Sequence, residues 1–351
     1  MNKTRVAVIM GGTSGEHPVS LKSGNGIVNN LDYTEYATCP VIIGTDGMWH
    51  CAGSYADYEK NNPFDSAAFL KSSSDGTPYF PPFLLLAQGK PDIVFPIVHG
   101  TGGEDGTLQG LLEIYGLPYT GSGVLGSSLA MHKRKAKELY IQYGLTTPDY
   151  SYYTREQWRI GAATIPSHVT DKLGLPVFVK IPTGGSSIGM GMAQSRDEIR
   201  DLCERFFSES REVLFEKAVK GTEVSCGVLD SADGEPEALA VTEIVPVKAA
   251  FFDYEAKYEK GASREITPAR ISADLTQKVH RAAVMAHKAL HCSGFSRSDI
   301  IIANQKLYTL ETNTLPGFTE TSLLPQMAAA SGLTYAEFLD RIIQQALARA
   351  R

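Results

Sequence analysis

The stretch PDIVFPIVHG, residues 91–100, admits few structures. Its apolar residues run without alternation, as in a strand covered on both faces, and that is the habit of parallel sheets. The residues before and after it fit a sheet wound with helices. RVAVIM (5–10) reads as a strand, GGTSGEH as a loop, and PVSLKSGNGIVNNL as a helix with Pro18 in its first turn. TCPVIIG is a second strand. In GTLQGLLEIYG, Leu108, Leu111, Leu112 and Tyr115 fall at helical spacing, and Gly116 is placed to end the helix. An open α/β domain ending near residue 130 is expected.

The texture then changes. SLAMHKRKAKELYIQYG (128–144) reads as one basic helix stopped by Gly144, with LTTPDY as a boundary. PVFVK, GMGMAQS, VLFEKAV and TEVSCGVL are short strands, with one helix, RDEIRDLCERFF, among them. That pattern is α+β with antiparallel pairing. A helix over 271–292, a hairpin over 299–313 and a final helix over 334–350 complete the chain, and 251–268 reads as a long surface loop of the kind that forms lids.

At 351 residues the chain is long for one core, so two or three domains are expected. A net charge of -6 argues against non-specific nucleic-acid binding. The five cysteines, 39, 51, 203, 226 and 292, are odd in number and include no C-x-x-C pair, a reduced, cytoplasmic pattern with no zinc site. The first apolar run stops at glycines, as a strand does and a signal peptide does not. No segment approaches the length needed to span a bilayer.

Four stretches carry chemistry. In KIPTGGSSIGMGM (180–192), Lys180 closes a strand and Gly184, Gly185, Ser186 and Ser187 follow. Glycines let backbone N–H groups approach an anion, so the loop suits phosphate, although a plain hairpin loop has the same composition. In VLFEKAVKGTEV, backbone groups after Glu216-Lys217 could read a nucleobase edge and Glu223 could hold a ribose; solvated charges at a strand end are the simpler account. The hairpin DIIIANQKLYTLETN (299–313) places Asp299 across from Glu311 if its turn centres on Gln305, with Asn313 on the same face. Three oxygen donors with no soft ligand suit Mg²⁺ bound together with a nucleotide. Arg297 shares that face, and with the backbone N–H of Gly317 it could form an oxyanion hole; it could equally be an ordinary ion-pair partner of Asp299. No P-loop, nucleophile elbow or H-E-x-x-H occurs. Together these features suggest activation of a carboxylate by ATP, followed by nucleophilic attack.

The blocks GGTSGEHPVSLKSG, HGTGGEDGTLQGLLEIYGLPYTGSG, GGSSIGM, FDYEAKY, ITPA, SRSDI and ETNTLPGFTETSLLP, in this order, resemble the D-alanine–D-alanine ligase family of the ATP-grasp superfamily over essentially the whole chain. The resemblance implies an N-terminal α/β open parallel-sheet domain (1–130) followed by an α+β ATP-grasp fold of two subdomains, 131–220 with the glycine-rich loop and 221–351 with the metal and oxyanion site. It implies that Glu16, with His99 nearby, holds the first D-alanine, and that Lys133 and Lys180 neutralise ATP phosphates under the 184–189 loop. Glu216, the backbone of Lys217 and Val219, and Glu223 would hold adenosine. Lys257 would reach the γ-phosphate, and Tyr258 would close over the site toward Ser186 and Glu16. Asp299, Glu311 and Asn313 would bind two Mg²⁺ ions, or Mn²⁺ in their place. Arg297 and Gly317 would stabilise the tetrahedral oxyanion, and Ser322 would hold the second D-alanine. The product would be D-alanyl-D-alanine for peptidoglycan, made in the cytoplasm by a homodimer with no membrane or nucleic-acid partner.

Departures from the family pattern are His132 where Asp is usual, Ile181 where Pro is usual, and FTETS ahead of the second-substrate pocket. Tyr258 favours an amine-using ligase over relatives that make D-alanyl-D-lactate. Ligation to D-serine or D-lactate and a non-catalytic nucleotide-binding regulator are the rival readings.

Overall fold

Strand β1 (Thr4–Gly11) shows why the first third folds as it does. Val6, Val8 and Met10 enter one core and Ala7 and Ile9 another, so alternate residues are buried on both faces of one sheet. The computed structural model describes residues 3–51, 55, 63–72, 89–184, 189–246 and 263–350. After β1 come α1 (His17–Asn30), β2 (Tyr36–Ile43), β3 (Trp49–Cys51), α2 (Ser66–Ser72), β4 (Ile93–Pro96) and α3 (Thr107–Ile114). The sheet order is β3-β2-β1-β4, with β1 parallel to both β2 and β4 and β3 antiparallel at the edge. The strand read over 91–100 is shorter than expected: after Pro96 the chain leaves the sheet and carries His99 into a loop.

The expected single basic helix is two, α4 (Val124–Met131) and α5 (Lys133–Gln142). His132 between them is extended, at φ -95° and ψ 91°, because it forms a β-bridge with Thr183. Next come β5 (Tyr150–Thr154), α6 (Arg155–Gly161), α7 (Ile165–Leu173), β6 (Val177–Lys180), β7 (Met190–Ala193), α8 (Arg196–Glu209) and β8 (Glu212–Lys217). Their sheet, β5-β8-β6-β7, is antiparallel throughout. It includes one strand and two helices, β5, α6 and α7, that the sequence reading did not resolve.

The third sheet, β11-β10-β9-β12-β13, is also antiparallel. It comprises β9 (Thr222–Asp230), β10 (Pro236–Pro246), β11 (Ser263–Ile266), β12 (Phe295–Ala303) and β13 (Lys306–Asn313), with α9 (Ala273–Ala289) inserted before β12. Strand β11 occupies part of the stretch read as a loop. The chain ends in α10 (Leu323–Ala330) and α11 (Tyr335–Arg349), the latter started by a Thr334/Glu337 capping box. Phe318 joins these parts, with ring centroids 5.6 Å from Phe95, 5.1 Å from Phe295 and 5.5 Å from Phe338. No helix among the described residues is long and apolar enough to cross a membrane.

Candidate active site

The β12–β13 hairpin has a two-residue turn, Asn304-Gln305, with φ of 49° and 64°. That turn pairs Ala303 with Lys306 and Ile300 with Thr309, a register that would set Asp299 across from Leu310. A bulge between Ile300 and Asp299 shifts the pairing by one residue, so Asp299 faces Glu311 and Arg297 faces Asn313. The expected partners meet, but the bulge brings them there rather than a turn centred on Gln305. Thr312 points the other way, where it accepts a hydrogen bond from Tyr140 at 2.7 Å.

Arg297, Glu311 and Asn313 line a cavity of about 570 Å³. Arg297 donates to both carboxylate oxygens of Asp299, at 3.0 and 2.9 Å, and Ser225 Oγ donates to Asp299 at 2.5 Å. Burial opposes the guanidinium charge, yet Asp299, and Glu311 after it, outweigh that and raise the Arg297 pKa. Asp299 thus lies just behind the cavity wall, 6% exposed, with Glu311 and Asn313 in front. Asn313 Oδ1 accepts the N–H of Leu315 at 2.9 Å, which turns the chain toward Gly317.

Gly317 and Ser322 line the same cavity. A Cβ on Gly317 would stand 2.7 Å from Ser322 Oγ, so a side chain there would displace that hydroxyl. Ser322 Oγ accepts the N–H of Thr319 at 3.1 Å and lies 2.7 Å from Thr319 Oγ1. Phe318, packed among three rings, fixes the backbone between them.

Glu16 reaches the cavity from the first turn before α1. Gly100, at φ +78°, allows the loop after β4 to approach it; a Cβ there would lie 2.7 Å from Glu16 Oε2. His99 is 3% exposed and both its ring nitrogens are engaged. Nδ1 lies 2.9 Å from the Leu315 carbonyl, which can only accept, so Nδ1 carries the proton. Nε2 then accepts from Ser23 Oγ at 3.0 Å. His99 therefore ties α1 to the segment after β13.

Lys133 follows the His132 break, and its Nζ donates to the Gly184 carbonyl at 2.6 Å. Lys180 does not line the cavity; it donates to Glu216 Oε1 at 2.8 Å. The other Glu216 oxygen faces Lys137 Nζ at 2.5 Å, and Lys137 also donates to Thr147 Oγ1 at 2.6 Å. Lys137, 1% exposed, was missed by sequence reasoning; its i+4 spacing from Lys133 on a basic helix was the only signal. Burial alone would raise the Glu216 carboxyl pKa, but the Lys137 and Lys180 ammoniums hold it at about 2. Burial pulls the Lys137 pKa down, with Glu216 acting against that shift.

A depressed carboxylate stabilises the folded state above its unfolded pKa and stops doing so as pH falls through the folded one. Stability should therefore decline as pH is lowered from about 4.5 toward about 2. Urea midpoints across that window, with Glu216→Gln as the flattened control, check this.

Of the expected nucleotide residues, Lys217 is exposed and 4.0 Å from Asp149, and Val219 and Glu223 are half-buried; none of the three lines the cavity. Glu216 was expected at adenosine, yet both its oxygens face lysines. Gly185, Ser186, Ser187, Lys257 and Tyr258 lie outside the described residues. Lys22, Glu104 and Glu265 line the cavity without having been singled out. Among the described residues no group of three His, Cys, Asp or Glu side chains could hold a metal by itself. Glu311 and Asn313 on the wall, with Asp299 behind them and Lys133 on the same lining, are oxygen donors of the kind that suits a hard divalent ion sharing its coordination with phosphate.

Residues 5–122 match the family model described as D-ala D-ala ligase N-terminus, and residues 139–344 match D-ala D-ala ligase C-terminus. A D-alanine--D-alanine ligase of Syntrophobacter fumaroxidans is 41% identical over 346 residues, covering 98% of each chain. One from Geobacillus thermodenitrificans is 35% identical over 99% of this chain and 96% of that one. Among solved structures, a D-alanine-D-alanine ligase from Coxiella burnetii superposes with a TM-score of 0.84 at 30% identity, over 99% of this chain and 96% of that one. The VanG D-Ala:D-Ser ligase from Enterococcus faecalis gives 0.82 at 31% identity, over 98% of this chain and 100% of that one. With both halves matched and relatives alike from end to end, the chain belongs to the D-alanine–D-alanine ligase family.

Proposed function

We infer that the protein joins two D-alanines to D-alanyl-D-alanine with conversion of ATP to ADP and phosphate, a step of peptidoglycan precursor synthesis. The observation that carries this is the convergence of Glu16, Lys133, Arg297, Glu311, Gly317 and Ser322 on one cavity. Glu16 offers a carboxylate to the ammonium of the first D-alanine. Lys133 and Lys180 supply positive charge for the nucleotide phosphates, and Lys137 keeps Glu216 neutralised behind them. Asp299, Glu311 and Asn313 would hold two Mg²⁺ ions, which when bound offset charge on the phosphoryl oxygens.

The carboxylate of the first D-alanine attacks the γ-phosphate, giving D-alanyl phosphate, and the amine of the second then displaces phosphate through a tetrahedral intermediate. Arg297 and Gly317 line the same cavity, and the guanidinium with the Gly317 N–H would receive its oxyanion. Ser322, a neighbour of Gly317, would hold the second D-alanine by its carboxylate. Ser322→Ala should raise KM for the second D-alanine by about 10- to 100-fold with a smaller change in kcat, the loss of a hydrogen bond to a charged group. Two-substrate initial-rate kinetics separate the two D-alanine sites.

The division into 1–130, 131–220 and 221–351, the last two as ATP-grasp subdomains, is supported by one sheet in each part. The reading also places the enzyme in the cytoplasm, as a homodimer. Product analysis with ATP and D-alanine, alone or with D-serine or D-lactate, tests the assignment. D-alanyl-D-alanine should be the main product in every mixture; a preference for D-alanyl-D-serine or D-alanyl-D-lactate would reassign the second substrate.

A further inference from the structure

Cys39 on β2 and Cys51 at the end of β3 bring their sulfurs to 3.1 Å. The register pairs Val41 with Cys51, so Cys39 lies one diagonal step along the same face of the sheet. Cys39 is 1% exposed, within the core beneath the sheet, whereas Cys51 packs against that core and is half-buried. The other three cysteines differ. Cys203 and Cys226 are fully buried on other sheets or helices, and Cys292 packs against α5 and α9. Burial pushes each of these three thiols up to about 12, and Cys39 is raised too, by its contact with Cys51 and then by burial, so what sets the pair apart is the approach of its sulfurs and not acidity. Neither Cys39 nor Cys51 lines the catalytic cavity.

One thiol within reach of an oxidant, backed by a second that only its neighbour can reach, is the arrangement of an attacking and a resolving cysteine. We propose that Cys39 and Cys51 are a thiol pair that a hydroperoxide converts to a reversible disulfide. The Cys51 thiolate attacks one oxygen of the O–O bond and becomes a sulfenic acid, and the other oxygen takes up a proton and leaves as water from hydrogen peroxide or as an alcohol from an organic hydroperoxide. The Cys39 sulfur then attacks the Cys51 sulfur, forms the S–S bond and expels the hydroxyl, which leaves as water with the remaining thiol proton. The peroxide is reduced by two electrons and the two thiols are oxidised by two. A dithiol reductant reverses the change by exchange.

The bond would fasten the edge strand β3 to β2, whose last residue, Ile43, accepts the N–H of Gly12 at the head of the loop that carries Glu16. Ligase activity should persist in both states, because the cavity wall contains neither sulfur. The thermal midpoint should rise on oxidation, since the bond ties together an edge that would otherwise open early.

The test is intact mass measurement on the full reduced chain after brief hydrogen peroxide treatment, with free thiols alkylated under denaturing conditions. The proposal expects loss of two hydrogens, three of the five cysteines alkylated, a linked peptide pair containing Cys39 and Cys51, and recovery of all five thiols with dithiothreitol. In Cys51→Ser no linked pair should form. Five alkylated thiols after treatment, stable oxygen adducts on Cys51 without a link, or a link through Cys203, Cys226 or Cys292 would each overturn it.

Discussion

Glu311→Gln is expected to lower kcat by about 100- to 1,000-fold while the fold survives, the scale of losing one preorganised charge at a phosphoryl-transfer site. Glu311 is half-buried on the cavity wall, so an amide of the same shape fits there. What disappears is half of the carboxylate pair that the hairpin bulge creates. The remaining donors, Asp299 and Asn313, are already committed, one to Arg297 and Ser225 and the other to the Leu315 N–H. The variant should need much more Mg²⁺ to reach its reduced maximum. Steady-state rates across a magnesium titration, alongside a circular dichroism melt, check both parts. A variant with wild-type rate at low magnesium would remove the hairpin from the metal site.

Glu216→Gln is expected to destabilise the protein by about 3 to 5 kcal/mol, because it strands charge that the fold has buried. Lys137 is 1% exposed and Glu216 3%, so water cannot compensate for the loss. Thr147 would remain as Lys137's neutral partner, too little for an ammonium. Adding Lys137→Met to the same chain should restore most of the stability, since the cost lies in the stranded ammonium rather than in the missing carboxylate. Urea unfolding of the two variants and the parent measures it. A single variant within about 1 kcal/mol of the parent would show that Lys137 loses its proton readily when unpaired.

Much of this was legible in the residues, and the exceptions have physical causes. The two-sided burial of β1 follows from an unbroken apolar run, and α1, α3, α8 and α9 follow from periodicity with glycine, proline or serine punctuation. The break at His132 was not legible. Nothing in HKRKAK disfavours helix, and the extended backbone is imposed from outside by the bridge to Thr183. Lys137 was invisible for a related reason. A lysine in a basic helix is ordinarily solvated, and only the fold brings Glu216 and Thr147 to it.

The hairpin is the most instructive case. Its facing carboxylates were anticipated, but from a turn whose pairing register is one residue away from that of the real turn. The actual turn would have opposed Asp299 with Leu310, and the bulge sets Asp299 across from Glu311 instead. Sequence alternation could identify which side chains belonged together, not the irregularity that joins them. The Arg297 fork onto Asp299 shows the same limit: of the two readings of Arg297 the ion pair with Asp299 is present, and the structure adds that Arg297 also reaches the cavity.

The most direct test of the account is the stoichiometry of the complete reaction with Mg²⁺, ATP and D-alanine, with ADP, phosphate and dipeptide quantified in one mixture. The account predicts equal amounts of all three, with none formed when D-alanine is omitted. ADP and phosphate released without D-alanyl-D-alanine, or nucleotide bound but never hydrolysed in the presence of D-alanine, would contradict it.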